Sequence, residues 1–380
     1  MRRHTFIFTY GFALFAMFFG SGNLVFPLQI GSTAGSNWFM GFAGLLITGI
    51  FLPFLGLFVI KLHKGSYDSF FSEAGAIARI ALPLFTLSLL GSFGVVPRCI
   101  TVAHGGMSYM YPEVSLVAFS ILFSLVTYFL CMKDQFMVDI LGKWMSPVLL
   151  TALMALILVG FIYAPEAVTE SDGHVAFIHG FLTGYQTMDL FAAFFFAALI
   201  FAQLQHTIPS TVSTREALSY AIKPSIFGAA ILGMVYLGLV FLGAHYSHLL
   251  NDVAPELMLP TIAEYIMGDS ATLFIGIAML LSCLTTAVAL NNIYARYVCS
   301  TLELSERQFP LILLATTGVS FVVSLLDFKG IAAFLAPALE ISYPGIIALT
   351  VMSIATRKFQ LLKQAMFYGI SAVMVIKMIS

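Results

Sequence analysis

Charge is what this chain has least of. Of its 380 residues, 17 are Lys or Arg and 18 are Asp or Glu, 9% in all, against about a quarter in an ordinary soluble domain. So few charges do not cover a water-exposed surface of this size, which excludes a soluble enzyme and a disordered chain. A formal net charge of −1 leaves no basic face for a phosphate backbone, so a nucleic-acid binder is excluded as well. Cysteine is scarce too. Cys99, Cys131, Cys283 and Cys299 lie in or beside apolar stretches, with neither metal-ligand spacing nor a disulfide framework. The eight histidines fall mainly in loops and form no metal cluster. His-Glu-x-x-His, Gly-x-Ser-x-Gly and the phosphate-binding loop are all missing, so an enzyme is not expected and transport driven directly by ATP is excluded.

Apolar sequence is what remains: 60% of the chain, including 37 Phe, at a mean hydropathy of +0.99. A helix crossing the hydrocarbon core needs about 20 largely apolar residues. Eleven stretches qualify, at 5–30, 37–60, 77–102, 114–132, 140–163, 181–204, 224–246, 271–299, 309–326, 331–355 and 361–379. They are apolar all round, so helices rather than alternating barrel strands are expected. The fold class that follows is an all-α polytopic membrane protein of about eleven transmembrane helices. The first stretch is too long for a signal peptide and is followed by no cleavage site. The longest connection, 247–270, is too short for a soluble domain.

Lys and Arg sort by side. With a cytoplasmic N-terminus, the inner segments carry Arg2, Arg3, Lys61, Lys64, Arg79, Lys133, Lys143, Arg215, Lys223, Arg296, Arg307, Arg357, Lys358 and Lys363, 14 of the 17 basic residues. Lys329 and Lys377 fall outside and Arg98 within a span. This positive-inside bias predicts a multi-pass protein of the cell (inner) membrane with its N-terminus in the cytoplasm. The outer loops are acidic, with Glu166, Glu170 and Asp172 in one and Asp252, Glu256, Glu264 and Asp269 in another. They read as a solvated face or as a cation-attracting vestibule.

Two spans are interrupted. The first carries Gly20-Ser21-Gly22-Asn23 in mid-membrane, and the sixth carries Gly184-Tyr185-Gln186-Thr187 and then Asp189 before an apolar run. Glycines and short polar residues there weaken the helix. Five spans separate the two, so they cross in opposite directions. Spans 1–5 and 6–10 are then expected to be inverted repeats, 1–163 and 164–358, with 359–380 as an extra C-terminal span. Paired broken helices in matching positions are the best sequence pointer to a transporter site. A half-helix starting near Ser21 offers N–H groups to a carboxylate. One ending near Gly20 offers carbonyls to an ammonium group or a sodium ion. The alternative is that Gly20 and Gly22 only permit close helix packing.

The stretch Phe15-Ala-Met-Phe-Phe-Gly-Ser-Gly-Asn-Leu-Val-Phe-Pro27 resembles the first-span signature of the branched-chain amino acid carriers, the leucine–isoleucine–valine cation symporter family. Pro97-Arg98, Leu141-Gly-Lys, Gly184-Tyr185-Gln-Thr-Met-Asp189, Cys283-Leu-Thr-Thr-Ala287 and Tyr343-Pro344 continue the resemblance in family order along nearly the whole chain. The resemblance implies the five-plus-five inverted-repeat fold of the amino acid–polyamine–organocation superfamily. It also implies symport of leucine, isoleucine and valine with sodium or protons. The family usually has twelve spans; the difference from eleven lies outside the ten-span core, and transport is expected to survive it.

The substrate carboxylate is then expected at Gly20, Ser21 and Gly22, with Asn23 beside it and the carbonyls of Tyr185, Gln186 and Thr187 facing the ammonium group. By resemblance, a sodium site joins the carbonyls of Ala16 and Phe19 to span 8. There Ser282, Thr285 and Thr286 share a face at i, i+3 and i+4. Hydroxyls bonding back to their own helix are the alternative. Three charges inside spans need a reason, at about 2.5–3.5 kcal/mol each on insertion scales. Asp189 reads as a helix N-cap, a cation or proton site, or both. Arg98, near the outer end of span 3, reads as a snorkelling side chain rather than a gate. Glu340, beside the helix-kinking Pro344-Gly345, reads as a carboxylate paired to a polar neighbour or as a proton carrier. The only expected cofactor-like partner is the coupling ion, sodium or a proton. An intramembrane enzyme and a channel are the competing classes, and a channel would show a filter or charge ring.

Overall fold

The computed structural model describes residues 3–132, 146–167, 170–207, 214–356 and 358–379. Each of the eleven predicted stretches coincides with helix among the described residues. Span 1 is α1 (Arg3–Phe18) followed by α2 (Ser21–Ala34). Span 2 is α3 (Trp38–Leu45) and α4 (Leu52–Leu62), joined by a wider i→i+5 stretch, Leu46–Phe51. After a short α5 (Tyr67–Phe71), span 3 is α6 (Ala78–Leu90) and α7 (Val95–Ser108). Spans 4 and 5 are α8 (Leu116–Cys131) and α9 (Ser146–Ile162), and span 6 is α10 (Gly173–Thr183) with α11 (Asp189–Thr207). Then come α12 (Thr214–His245), a loop helix α13 (Met258–Met267), α14 (Asp269–Thr301), α15 (Phe309–Ser324), α16 (Asp327–Ala355) and α17 (Gln360–Ile379). The Leu141-Gly-Lys motif lies outside the described residues.

Seven stretches among the described residues are long and apolar enough to cross a membrane. Eleven predicted segments yield fewer such helices because spans 1 and 6 are cut short by their interruptions and α8 and α9 have only 16 and 17 residues. One stretch, Ser21–Leu62, has 42 residues, about twice the length that a bilayer core accommodates. It is two arms that turn at Gly35, whose φ of 50° suits a residue without Cβ.

Backbone contacts set the packing. A Cβ on Gly180 of α10 would strike the Gly41 carbonyl of α3, and one on Gly31 of α2 would strike the Val240 carbonyl of α12. Such small-residue crossings draw helices together where lipid gives no hydrophobic push.

Polar contacts gather at two opposite ends. At one, Lys363 Nζ meets Glu73 Oε1 at 2.5 Å, Ser353 Oγ donates to Glu73 Oε2 at 2.5 Å, and His63 lies 3.1 Å from Ser353 Oγ. This ties the ends of spans 2, 10 and 11 to the α5 loop, and Lys363 is only 1% exposed. At the other end, Ser171 donates to the Ala34 carbonyl, His245 Nδ1 lies 2.7 Å from the Pro165 carbonyl, and Tyr109 bonds Glu264. Lys61 and Lys64, at the end of span 2, fall on the first of these ends together with Lys363. Among the acidic loop residues, Asp172 caps α10, accepting from the N–H groups of His174 at 2.8 Å and Val175 at 3.2 Å.

Candidate functional site

The first interruption is abrupt. α1 ends at Phe18, Gly20 sits in extended backbone at φ −106° and ψ −163°, and α2 starts at Ser21. The Gly20 N–H bonds the Phe18 carbonyl at 3.0 Å, so the Ala16 carbonyl loses its normal i+4 donor. The first-turn N–H groups of α2, Ser21 to Asn23, have no intrahelical acceptors.

The second interruption is a short, tighter turn over Gly184–Thr187, then Met188 in the left-handed region at φ 57° and ψ 19°. A side chain rarely adopts that conformation. Its neighbours hold it there. Thr48, in the widened part of span 2, donates to the Phe181 carbonyl at 2.9 Å, and a Cβ on Gly184 would overlap the Thr48 hydroxyl. α11 then begins at Asp189.

The two interruptions face each other. A Cβ on Gly22 would lie 3.6 Å from the Thr187 Cα. Asn23 Nδ2 donates to Asp189 Oδ2 at 2.9 Å, and the Tyr236 hydroxyl on α12 donates to the same oxygen at 3.0 Å while also meeting Asn23. All three side chains are buried, Asp189 at 3% exposure. A small cavity opens at this point. Gly20, Ser21, Gly22, Asn23, Thr187, Asp189, Arg98 and Thr286 line it, and Met17, Phe18, Leu90, Ala192, Phe196 and Leu290 supply its apolar wall. These wall residues belong to the half of the helices that leads toward the end holding Lys363. On the opposite side, Tyr185 stacks on Tyr343 at 4.6 Å and Phe26 packs against Phe328 at 5.4 Å.

Some sequence expectations land elsewhere. Arg98 does not snorkel: it is 1% exposed. Its guanidinium donates to the Gln186 carbonyl at 2.6 Å and to Gln186 Oε1 at 2.7 Å, and it lies over the rings of Phe26 and Phe328. Two of the three carbonyls expected to face an ammonium group are already engaged, that of Gln186 by Arg98 and that of Tyr185 by the Met188 N–H. Asp189 does not cap α11 with its carboxylate; the Thr187 hydroxyl, 3.4 Å from the Asp189 N–H, stands in that place. Glu340 is exposed on the outer side of α16, away from the cavity.

Span 8 does meet the first interruption. Ser282 Oγ donates to the Phe19 carbonyl at 3.1 Å, and the Thr286 methyl would be 3.1 Å from a Cβ on Gly20. The Thr286 hydroxyl is buried without a hydrogen-bond partner, whereas Thr285 bonds back to the Ser282 carbonyl at 2.7 Å. Tyr236 is the residue that sequence reasoning missed. A single tyrosine in an apolar span carries no local signal of the carboxylate it meets 47 positions away.

A family model described as branched-chain amino acid transport protein matches residues 3–380. The chain belongs to that family. It is 30% identical over 365 residues to the branched-chain amino acid permease BraB of Bacillus subtilis, covering 92% of this chain and 80% of the relative. It is 27% identical over 376 residues to a putative branched-chain amino acid carrier of Staphylococcus saprophyticus, covering 92% and 81%. Among solved structures it is similar to Mhp1, a nucleobase-cation-symport-1 transporter with bromovinylhydantoin bound, at a TM-score of 0.63 and 16% identity over 95% of this chain and 80% of that one. It also resembles MhsT in complex with L-phenylalanine, at 0.58 and 14% over 96% of both chains. The chain is therefore an amino acid transporter of the membrane, not an enzyme, and shares its fold with these solved structures.

Proposed function

We propose that this carrier is a secondary active symporter that imports leucine, isoleucine and valine across the cytoplasmic membrane by alternating access. The observation that carries this reading is the meeting of two interrupted helices at one buried cavity, joined by the Asn23–Asp189 hydrogen bond. N–H groups opening α2 at Ser21 and Gly22, beside Gly20, suit a carboxylate. Asn23, Thr187 and the nearby Tyr185 and Gln186 segment form the polar side of the pocket. The wall of Phe18, Met17, Leu90 and Leu290 suits an aliphatic side chain. Five spans separate the two interruptions, which supports inverted repeats at 1–163 and 164–358 with 359–380 added. The positive-inside bias of the sequence supports a cytoplasmic N-terminus.

Sodium is the proposed coupling ion. The Ala16 carbonyl without its helical donor, the Phe19 carbonyl, the Ser282 hydroxyl and the buried, unpartnered Thr286 hydroxyl are neutral hard oxygens at one place, which suits a monovalent cation. Thr285 joins this group by position, its hydroxyl turned to its own helix. Bound there, sodium would supply a positive charge beside the end of α1. What the chain itself does is hold the Gly20 turn against α14 through Ser282.

Proton coupling is a second reading, favoured by one observation: Asp189 is a buried carboxylate that lines the cavity. Labelled leucine uptake into proteoliposomes, with sodium and pH gradients imposed separately, tests both. Saturable uptake driven by inward sodium alone supports the first reading, and uptake driven by pH alone the second. Linear flux blind to either gradient would indicate a channel.

A further inference from the structure

We propose that Arg98 is the charge partner of the transported amino acid's carboxylate. The inference rests on the substrate reading above and assigns one pole of that substrate to a side chain. A guanidinium keeps its charge at any physiological pH. This one is sealed from solvent, yet the groups it bonds and stacks on are neutral: the carbonyl and side-chain amide oxygens of Gln186 and the faces of Phe26 and Phe328. Among the described residues no Asp or Glu oxygen lies within ion-pair reach of it. Its Nε–H is buried without a hydrogen-bond partner. Asp189 lines the same cavity, but its bonded oxygen is engaged by Asn23 and Tyr236.

An enclosed charge without an anion is costly, and a site that holds one is built to receive one. The place where an anion would sit is marked independently. Arg98 lines the cavity together with Ser21 and Gly22, whose N–H groups open α2. The residue next to it, Cys99, puts its Sγ 3.5 Å from Ser21 Oγ. A carboxylate has two oxygens, one for the α2 N–H groups and one for the guanidinium. Because the same guanidinium grips the carbonyl and the side chain of Gln186, binding of the carboxylate also bears on the span 6 turn.

Leucinamide keeps the amine and side chain of leucine and removes the negative charge. Calorimetric binding of both ligands to the full chain in nanodiscs reads the carboxylate's contribution directly. The wild-type protein is expected to prefer leucine. Arg98→Gln should lower that preference by roughly tenfold or more through weaker leucine binding, with leucinamide binding kept. Arg98→Lys, which keeps the charge and loses the forked geometry, should give an intermediate preference. Equal loss of both ligands in Arg98→Gln would make Arg98 a structural brace and overturn the proposal. So would a wild-type preference retained in either variant. Where Arg98→Gln does not fold, Arg98→Lys decides alone: a reduced preference supports the assignment and an unchanged one overturns it. A wild-type protein that binds neither ligand takes down the substrate reading, and the assignment with it.

Discussion

The two helix interruptions do the same thing by different means. In the first, the helix simply stops: an extended Gly20 separates α1 from α2, leaving backbone groups on both sides without helical partners. In the second, a tight turn and the left-handed Met188 carry the chain from α10 to α11, and the freed groups are largely taken up by the protein. Arg98 holds Gln186, Thr48 holds the end of α10, and Thr187 turns to the Gly184 carbonyl at 2.9 Å. The difference divides the labour. The first interruption leaves bare backbone at the cavity, while the second is a braced segment that presents a carboxylate, Asp189.

The largest effect should come from the bare side. Gly22→Leu places a branched side chain against Phe26 and Thr187, and leucine uptake is expected to fall to background with the protein still inserted. Normal uptake with normal membrane abundance would show that the cavity is not the pocket. On the braced side, Asp189→Asn removes the charge that accepts from Asn23 and Tyr236. A charge-assisted bond lost at a buried site lowers uptake by roughly tenfold or more. If protons drive transport, that variant also loses the dependence of uptake on external pH, which a pH series reads directly.

A smaller effect distinguishes the hydroxyls of span 8. Thr286→Ala should raise the sodium needed for half-maximal uptake by about threefold to tenfold, because its hydroxyl is the unpartnered one. Thr285→Ala should do less, since that hydroxyl serves its own helix. Equal sodium curves for Thr286→Ala and wild type would move the ion away from this place. The smallest effect is expected at Glu340→Gln, within about twofold of wild-type uptake, because this side chain faces outward from α16. A large loss there would give Glu340 a part in transport that its position does not suggest.

Both interruptions were legible in the chain itself because Gly20 to Asn23, and Gly184 to Thr187 with Asp189 after them, are polar or glycine residues in otherwise apolar runs. Their cause is local, the weakness of the helix at those residues. The eleven helical stretches were legible for the same kind of reason. What could not be read are the partners chosen by packing. Arg98 sits near the end of a span, and sequence alone favours the water beyond it; only the rotation of α7 turns it inward to Gln186. Tyr236 and Asp189 meet because α12 packs along α2, which carries Asn23, and the tyrosine hydroxyl reaches the start of α11 there. Glu340 looks like an interior charge in a linear span, and only the burial pattern around α16 places it outside. The short 3–10 turn and the left-handed Met188 depend likewise on Thr48, from another helix.

Whether the two interruptions together cradle an amino acid is decided by an experimental density map of the full chain with leucine bound. Ligand density is expected between residues 20–23 and 185–189, its carboxylate toward the start of α2 and its side chain toward Phe18, Phe196 and Leu290. Leucine elsewhere in the protein, with spans 1 and 6 running as unbroken helices, would contradict it.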